Sequence, residues 1–149
     1  MPTTVLAPVA GTVVGLAAVP DPVFAQAIVG PGTAIDPERA PGTAVAPVAG
    51  TIAKLHPHAF VVVTADGKGV LVHLGIDTVG LSGEGFETLA AEGDKVAVGD
   101  ALVRWNPADV EARGMSPVCP VVALDADAEA LSGTATGPIG TGAELFVWQ

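Results

Sequence analysis

Short runs of apolar, largely β-branched residues recur among polar stretches along this chain, each bounded by Gly, Pro or Asp. Runs of this length and composition between turn residues belong to strands. It predicts strands over 60–64, 69–74, 95–98, 102–105, 118–124 and 145–148. Asp66-Gly67 falls between the first two and predicts a hairpin. Helical periodicity appears only briefly, over 86–92, 107–113 and 126–131, in stretches too short to organise a core alone.

The segment Ala7-Pro8-Val9-Ala10-Gly11-Thr12-Val13-Val14-Gly15-Leu16 recurs as Ala46-Pro47-Val48-Ala49-Gly50-Thr51-Ile52-Ala53-Lys54-Leu55, identical at seven of ten positions and offset by 39. In each copy Pro-x-x-Gly supplies turn chemistry before a β-branched run, so a strand should leave the turn at Thr12 and again at Thr51. Two copies are too few for a solenoid and suit paired motifs. The expected fold is therefore all-β: a mostly antiparallel β-sandwich or barrel with a duplicated hybrid motif and short helical turns. At 149 residues it is expected to be a single domain over 1–149 that buries roughly two-thirds of its unfolded surface.

Composition narrows the function. Six basic residues, dispersed along the chain, face sixteen acidic ones. With no basic stripe for a phosphate backbone, nucleic acid is not an expected partner. The excess of acids between Asp77 and Glu129 reads as a solvated acidic surface or a face for a basic partner. Cys119 is the only cysteine, which excludes an intrachain disulfide and a cysteine metal cluster and suits a cytoplasmic location. The apolar run 5–19 has no basic leader and is interrupted by Pro8, Gly11 and Gly15, so neither a signal peptide nor membrane insertion is expected.

The candidate chemistry lies in histidine. His58 and His73, two of only three in the chain, each sit in an apolar, strand-like run. If 61–64 pairs with 70–73 across the Asp66-Gly67 turn, His73 comes opposite Phe60 or Val61, one short step from His58, and the two imidazoles share a pocket. Imidazole attacks phosphorus through one nitrogen while the other is oriented by a hydrogen bond, and at an ordinary pKa of ~6.5 much of it is neutral near pH 7. Neither a GxxxxGK[ST] run nor a GxGxxG turn is present, so a nucleotide is not the expected direct donor. A phosphoryl group would arrive from another protein.

These residues carry a resemblance. Val72-His73-Leu74-Gly75-Ile76-Asp77-Thr78-Val79 followed by Gly83-Glu84-Gly85-Phe86, together with the 46–52 repeat, His58-Ala59-Phe60, 19–26 with Ile28-Val29-Gly30, and Glu92 to Asp100, is similar to the glucose-type enzyme IIA component of the bacterial sugar phosphotransferase system. The likeness covers nearly the whole chain. It implies that His73 takes a phosphoryl group from the phosphocarrier HPr and passes it to a cysteine on the IIB domain of a membrane sugar permease, with His58 steadying the phosphate. It further implies that Asp21 and Asp77 flank the site, and that Val23, Phe24, Ile28, Val29, Leu55, Phe60, Leu71 and Val79 form an apolar rim of the kind that docks proteins. No cofactor is required by it. Members of the family can share a zinc ion between the two site histidines and a partner's carboxylate, which would make His58 and His73 metal ligands. Some also bind and regulate other enzymes while unphosphorylated, so a non-catalytic regulatory role is an alternative.

Two departures and two rivals complete the reading. Where many members of that family carry a threonine that hydrogen-bonds a site histidine, this chain has His56, and 133–142 matches only loosely. His56-x-His58 with His73-x-x-x-Asp77 is also similar to the ligand set of lysostaphin-like zinc endopeptidases, giving a zinc-dependent hydrolase using His56, His58 and His73 as the rival function; the order of the two motifs is reversed here. Gly93 to Asp100 resembles the hairpins of biotinyl and lipoyl carriers, but the modified-lysine motif is missing.

Overall fold

The computed structural model describes residues 2–149; Met1, the first residue of the expected domain, lies outside them. In chain order the strands are β1 Thr3–Leu6, β2 Gly11–Val13, β3 Gly32–Pro37, β4 Gly42–Val45, β5 Gly50–His56, β6 Ala59–Val63, β7 Gly69–His73, β8 Phe86–Thr88, β9 Lys95–Val96, β10 Ala101–Trp105, β11 Cys119–Ala123, β12 Leu131–Ser132, β13 Gly137–Ile139 and β14 Glu144–Trp148. The helices are α1 Pro22–Ala25 and α2 Pro107–Ala112. Among the described residues all strand pairs are antiparallel. The large sheet runs β13-β2-β3-β11-β7-β6-β5-β9, and two three-stranded sheets, β1-β14-β12 and β4-β10-β8, complete a β-sandwich.

One hydrophobic core joins the sheets. Val5, Ile52, Phe60, Val72, Leu102, Val103, Val121, Leu145 and Phe146 are buried together in it. Removing a side chain the size of Phe60 from water contributes about 2–3 kcal/mol before entropy is counted. A smaller cluster covers the other face of the central strands: Leu16, Val19, Phe24, Ala34, Ile76, Val118 and Val122. Val121 and Val122, adjacent on β11, point into different clusters, which is the strand alternation expected of a sheet covered on both sides. The candidate functional residues Asp21, Phe24 and His73 lie by this second cluster.

The sequence repeat is a structural one. Leu6 N–H donates to Pro47 C=O at 2.9 Å, and Val45 N–H to Pro8 C=O at 3.0 Å. These are the same bond with the two copies exchanged. Ala7 N–H reaches Ala143 C=O at 2.8 Å while Ala46 N–H reaches Asp100 C=O at 2.9 Å. At Gly11 and Gly50 a Cβ would lie 2.1 Å from Asp36 O and 2.0 Å from Val63 O respectively, so both copies need glycine for the same backbone approach.

Several expectations are corrected. Residues 86–88 form β8, not a helical turn: Phe86 pairs with Trp105 across β10, and the two rings stack with centroids 5.9 Å apart. A cross-strand aromatic pair outweighs the weak helical preference of so short a segment. The strand expected over 95–98 stops at Val96, because Ala97 N–H is taken by the Asp100 carboxylate at 2.8 Å in a turn. Within 107–113 and 126–131 the structure has α2 and a 3-10 turn at Ala128–Ala130.

Candidate functional site

The site is built where two ends of the β5-β6-β7 meander meet. His56 pairs with Ala59, which leaves Pro57 and His58 as the two-residue turn between β5 and β6. His58 is therefore at a hairpin tip and not within a strand-like run. Proline at the first turn position presets its φ and stiffens the tip. At the far end, Gly67 N–H donates to Thr64 C=O at 3.0 Å and Thr64 N–H to Lys68 C=O at 2.9 Å. Gly67 has φ +89°. Ala65, Asp66 and Gly67 thus form a three-residue connection, the turn-plus-bulge type, rather than a two-residue one.

That extra residue sets the register. Val63 pairs with Gly69 and Ala59 with His73, so His73 faces Ala59 and not Phe60 or Val61. The ladder continues past it, with Leu74 N–H donating to His58 C=O at 2.7 Å. His58 and His73 are left diagonal to one another, ring centroids 5.2 Å apart and edge-to-face. The rings of His56 and His58 stack at 5.7 Å. Sequence reasoning brought the two imidazoles together through a register that was one or two residues off.

The segment after β7 holds His73. Its Nδ1 lies 2.5 Å from Gly75 O. A carbonyl only accepts, so Nδ1 carries the proton and Nε2 keeps its lone pair. Gly75 can present that carbonyl because it adopts φ +83°; Ile76 N–H is tied to Ser116 C=O at 2.9 Å, and the buried Thr78 hydroxyl donates to Leu74 C=O at 2.9 Å. Asp77 follows in a left-handed conformation with φ 63° and is exposed. None of these backbone anchors was singled out from the sequence; glycine two residues after a candidate histidine was the available signal.

Asp21 reaches the site from the other side. It is the N-cap of α1, accepting from Val23 N–H at 2.9 Å, with Pro22 at the first helical position. Asp-Pro is a helix-start signal that the sequence reading did not use. The helix turns Phe24 inward against Ile76 and Val118, and its ring lies 5.4 Å from that of His73.

Burial lowers the pKa of both imidazoles. For His58 the value falls to about 4, first through desolvation and then through the neighbouring His73 and His56. For His73 desolvation again dominates, opposed by the Gly75 carbonyl and by the negative charges of Asp21 and Asp77. Desolvation disfavours the cation in each case. Both rings are consequently neutral near pH 7, and His73 Nε2 is an available nucleophile.

The expected rim divides. Ile28 and Val79 are each 65% exposed and Val23 40%, while Val29, Leu55 and Leu71 are half-buried. Phe24 is only 8% exposed and serves chiefly as packing. Phe60 is corrected outright: it is 0% exposed, pointing into the main core, and cannot contribute to a surface rim. Zinc finds no support. Among the described residues no group of three His, Cys, Asp or Glu is arranged to hold a metal ion, and His73 Nδ1 is already engaged. His56, the third ligand of the hydrolase reading, stacks its ring on His58 at 5.7 Å, and the three imidazoles do not converge on one point as a hydrolytic zinc centre requires.

Comparison with known proteins agrees with this geometry. The family model described as phosphoenolpyruvate-dependent sugar phosphotransferase system, EIIA 1, matches residues 3–128. The chain belongs to this family. It is 46% identical over 125 residues to the PTS system glucose-specific EIIA component of Halalkalibacterium halodurans, covering 83% of this chain and 71% of that one. With the component of the same description from Staphylococcus aureus it shares 41% over 125 residues, covering 83% and 74%. The structure superposes on the glucose permease IIA from Mycoplasma capricolum with a TM-score of 0.91 at 32% identity, covering 99% of this chain and 96% of that one. As a member of the EIIA family, the protein is a phosphoryl carrier in the sugar phosphotransferase system. Among its described residues no helix is long and apolar enough to cross a membrane.

Proposed function

We propose that His73 is the phosphoryl acceptor, receiving the group from phospho-HPr and passing it to the IIB cysteine of a sugar permease, within the cytoplasm. The observation that carries this reading is the hydrogen bond from Nδ1 to Gly75 O, which leaves Nε2 unprotonated in a ring whose centroid lies 5.2 Å from that of His58. Nε2 attacks phosphorus as the bond to the donor histidine breaks; the product is a phosphoramidate. In the second half-reaction a thiolate attacks the same phosphorus and the P–N bond breaks, returning the electron pair to Nε2. Catalysis of such transfers is mainly positioning and electrostatics.

His58 is the hydrogen-bond donor to the phosphoryl oxygens. It rests as a neutral ring, and a phosphoryl dianion beside it favours its protonated form, strengthening the contact as the group arrives. Asp21 and Asp77 hold negative charge near the acceptor. They support the nucleophile before transfer and repel the dianion afterwards, which keeps the phosphohistidine labile. Val23, Ile28 and Val79 supply the exposed apolar contact for the two protein partners, and the half-buried Val29, Leu55 and Leu71 add to it.

Incubation with phosphoenolpyruvate, enzyme I and HPr tests this reading. Intact mass should show an acid-labile gain of one phosphoryl group, lost in His73→Ala. In His58→Gln, onward transfer should fall more than acceptance. An acid-labile gain that persists in His73→Ala would refute the assignment, and equal loss in both half-reactions would refute the division of roles.

A further inference from the structure

His56 has no part in the transfer as described, yet its place is a defined one. It ends β5 just before the Pro57-His58 turn, and its ring lies on His58 with planes only 20° from parallel. His58 meets His73 edge-on from another side. Among the described residues no protein group hydrogen-bonds the His58 ring. An imidazole so placed turns about a broad side-chain torsion, and a swing of a few tens of degrees spoils the hydrogen bond its N–H makes.

Resting on the proposed relay, we infer that His56 is a positioning residue: its stacked ring fixes the plane of the His58 imidazole and so aims the His58 N–H at the phosphoryl oxygens on His73. Rotation of His58 away from parallel forfeits ring contact with His56, so the stack opposes that rotation directly. Pro57, between the two, holds their backbones at a set separation. His56 itself is exposed. It buries no core surface, so its action on His58 is separable from any role in holding the fold together.

The test uses the whole chain, phosphorylated through HPr, with the IIB domain of a glucose-type permease as acceptor, and compares His56→Ala with His56→Phe. The alanine variant should lose about tenfold in kcat for onward transfer, the size of one aromatic pair contact expressed as a rate, with KM and Tm unchanged. His56→Phe, which keeps a flat ring without ring nitrogens, should restore most of that loss. Wild-type kcat in His56→Ala would overturn the inference. So would a phenylalanine variant as slow as alanine, because the nitrogens and not the stack would then matter. Failure of the relay itself is distinguishable, since the unmodified chain would then gain no acid-labile phosphoryl group at His73.

Discussion

Gly75→Ala tests how the acceptor is held. Gly75 adopts φ +83°, and a Cβ there would lie 2.7 Å from Thr78 Cγ2 and 3.0 Å from Ser116 O. An L-residue in the left-handed region costs about 1–2 kcal/mol, and forcing a methyl into packed surroundings adds about 1–3 kcal/mol. A loss near 3 kcal/mol lowers Tm by roughly 6–12 °C in a domain of this size. Gly67→Ala is the control: it has φ +89° but nothing within 4 Å of the added carbon, so only the backbone cost of about 1–2 kcal/mol applies. Urea unfolding with an unchanged slope would measure both. Because the nearest contact is a methyl, Thr78→Ser in the Gly75→Ala background should recover part of the loss while keeping the hydroxyl bond to Leu74, a coupling visible as non-additivity. Phosphoryl acceptance should fall with stability, since displacement of the Gly75 carbonyl frees His73 Nδ1. Equal costs at positions 75 and 67, or no recovery in the double variant, would refute the packing argument.

Packing and docking should separate on the apolar residues. Phe24→Ala removes a nearly buried ring and should cost about 3 kcal/mol or more in stability; Val79→Asp, at an exposed position, should leave Tm within a degree or two but raise KM for phospho-HPr, and an unchanged KM would place Val79 outside the interface. pH provides another check. Both site imidazoles have pKa values below 6.5 in the folded protein, His58 at about 4, so between these values the unfolded chain binds more protons. Stability should therefore rise with pH across this window and be lost as pH falls from 6.5 towards 4. His58→Gln should flatten that slope after subtraction of the common carboxylate titration, and an identical profile in the variant would show that His58 is not depressed. Phosphoryl acceptance should likewise fall on acidification only with a midpoint below 6.5, whereas a midpoint at or above 6.5 would contradict the desolvation of His73.

How much of this was legible in the sequence depended on what kind of group was being read. Short apolar runs between turn residues exposed β6, β7, β10, β11 and β14, because each buries at least one face and so carries few polar residues. The pairing of His58 with His73 followed from strand direction alone: a hairpin returns the chain to the end it left, so β7 had to finish beside the start of β6. Asp66-Gly67 marked that hairpin but is compatible with a two- or a three-residue connection, and this single residue decided whether His73 opposes Phe60 or Ala59. β3, third of the eight strands in the large sheet, went unread because its apolar content is only Ala34-Ile35, and its strand character rests on pairing with β2 and β11. α1 is too short to display a period at all, and only its Asp21-Pro22 start announced it.

The groups that prepare His73 were the hardest to see. The Gly75 carbonyl, the Ser116 carbonyl and the Leu74–Thr78 bond involve backbone that every residue possesses, so no residue type advertises them. What distinguishes them is a conformation, φ +83° at Gly75, and a fold that brings the loop before β11 under the loop after β7. Phe60 illustrates the converse: the family resemblance assigned it to the docking rim, but its place on β6 turns it into the core while His58 stands in the turn before that strand. On the proposed assignment the nucleophile is therefore specified twice in this protein, once by a histidine that the sequence displays, and once by a carbonyl whose direction only the tertiary structure determines. The second specification decides which nitrogen keeps the lone pair that the proposed transfer needs.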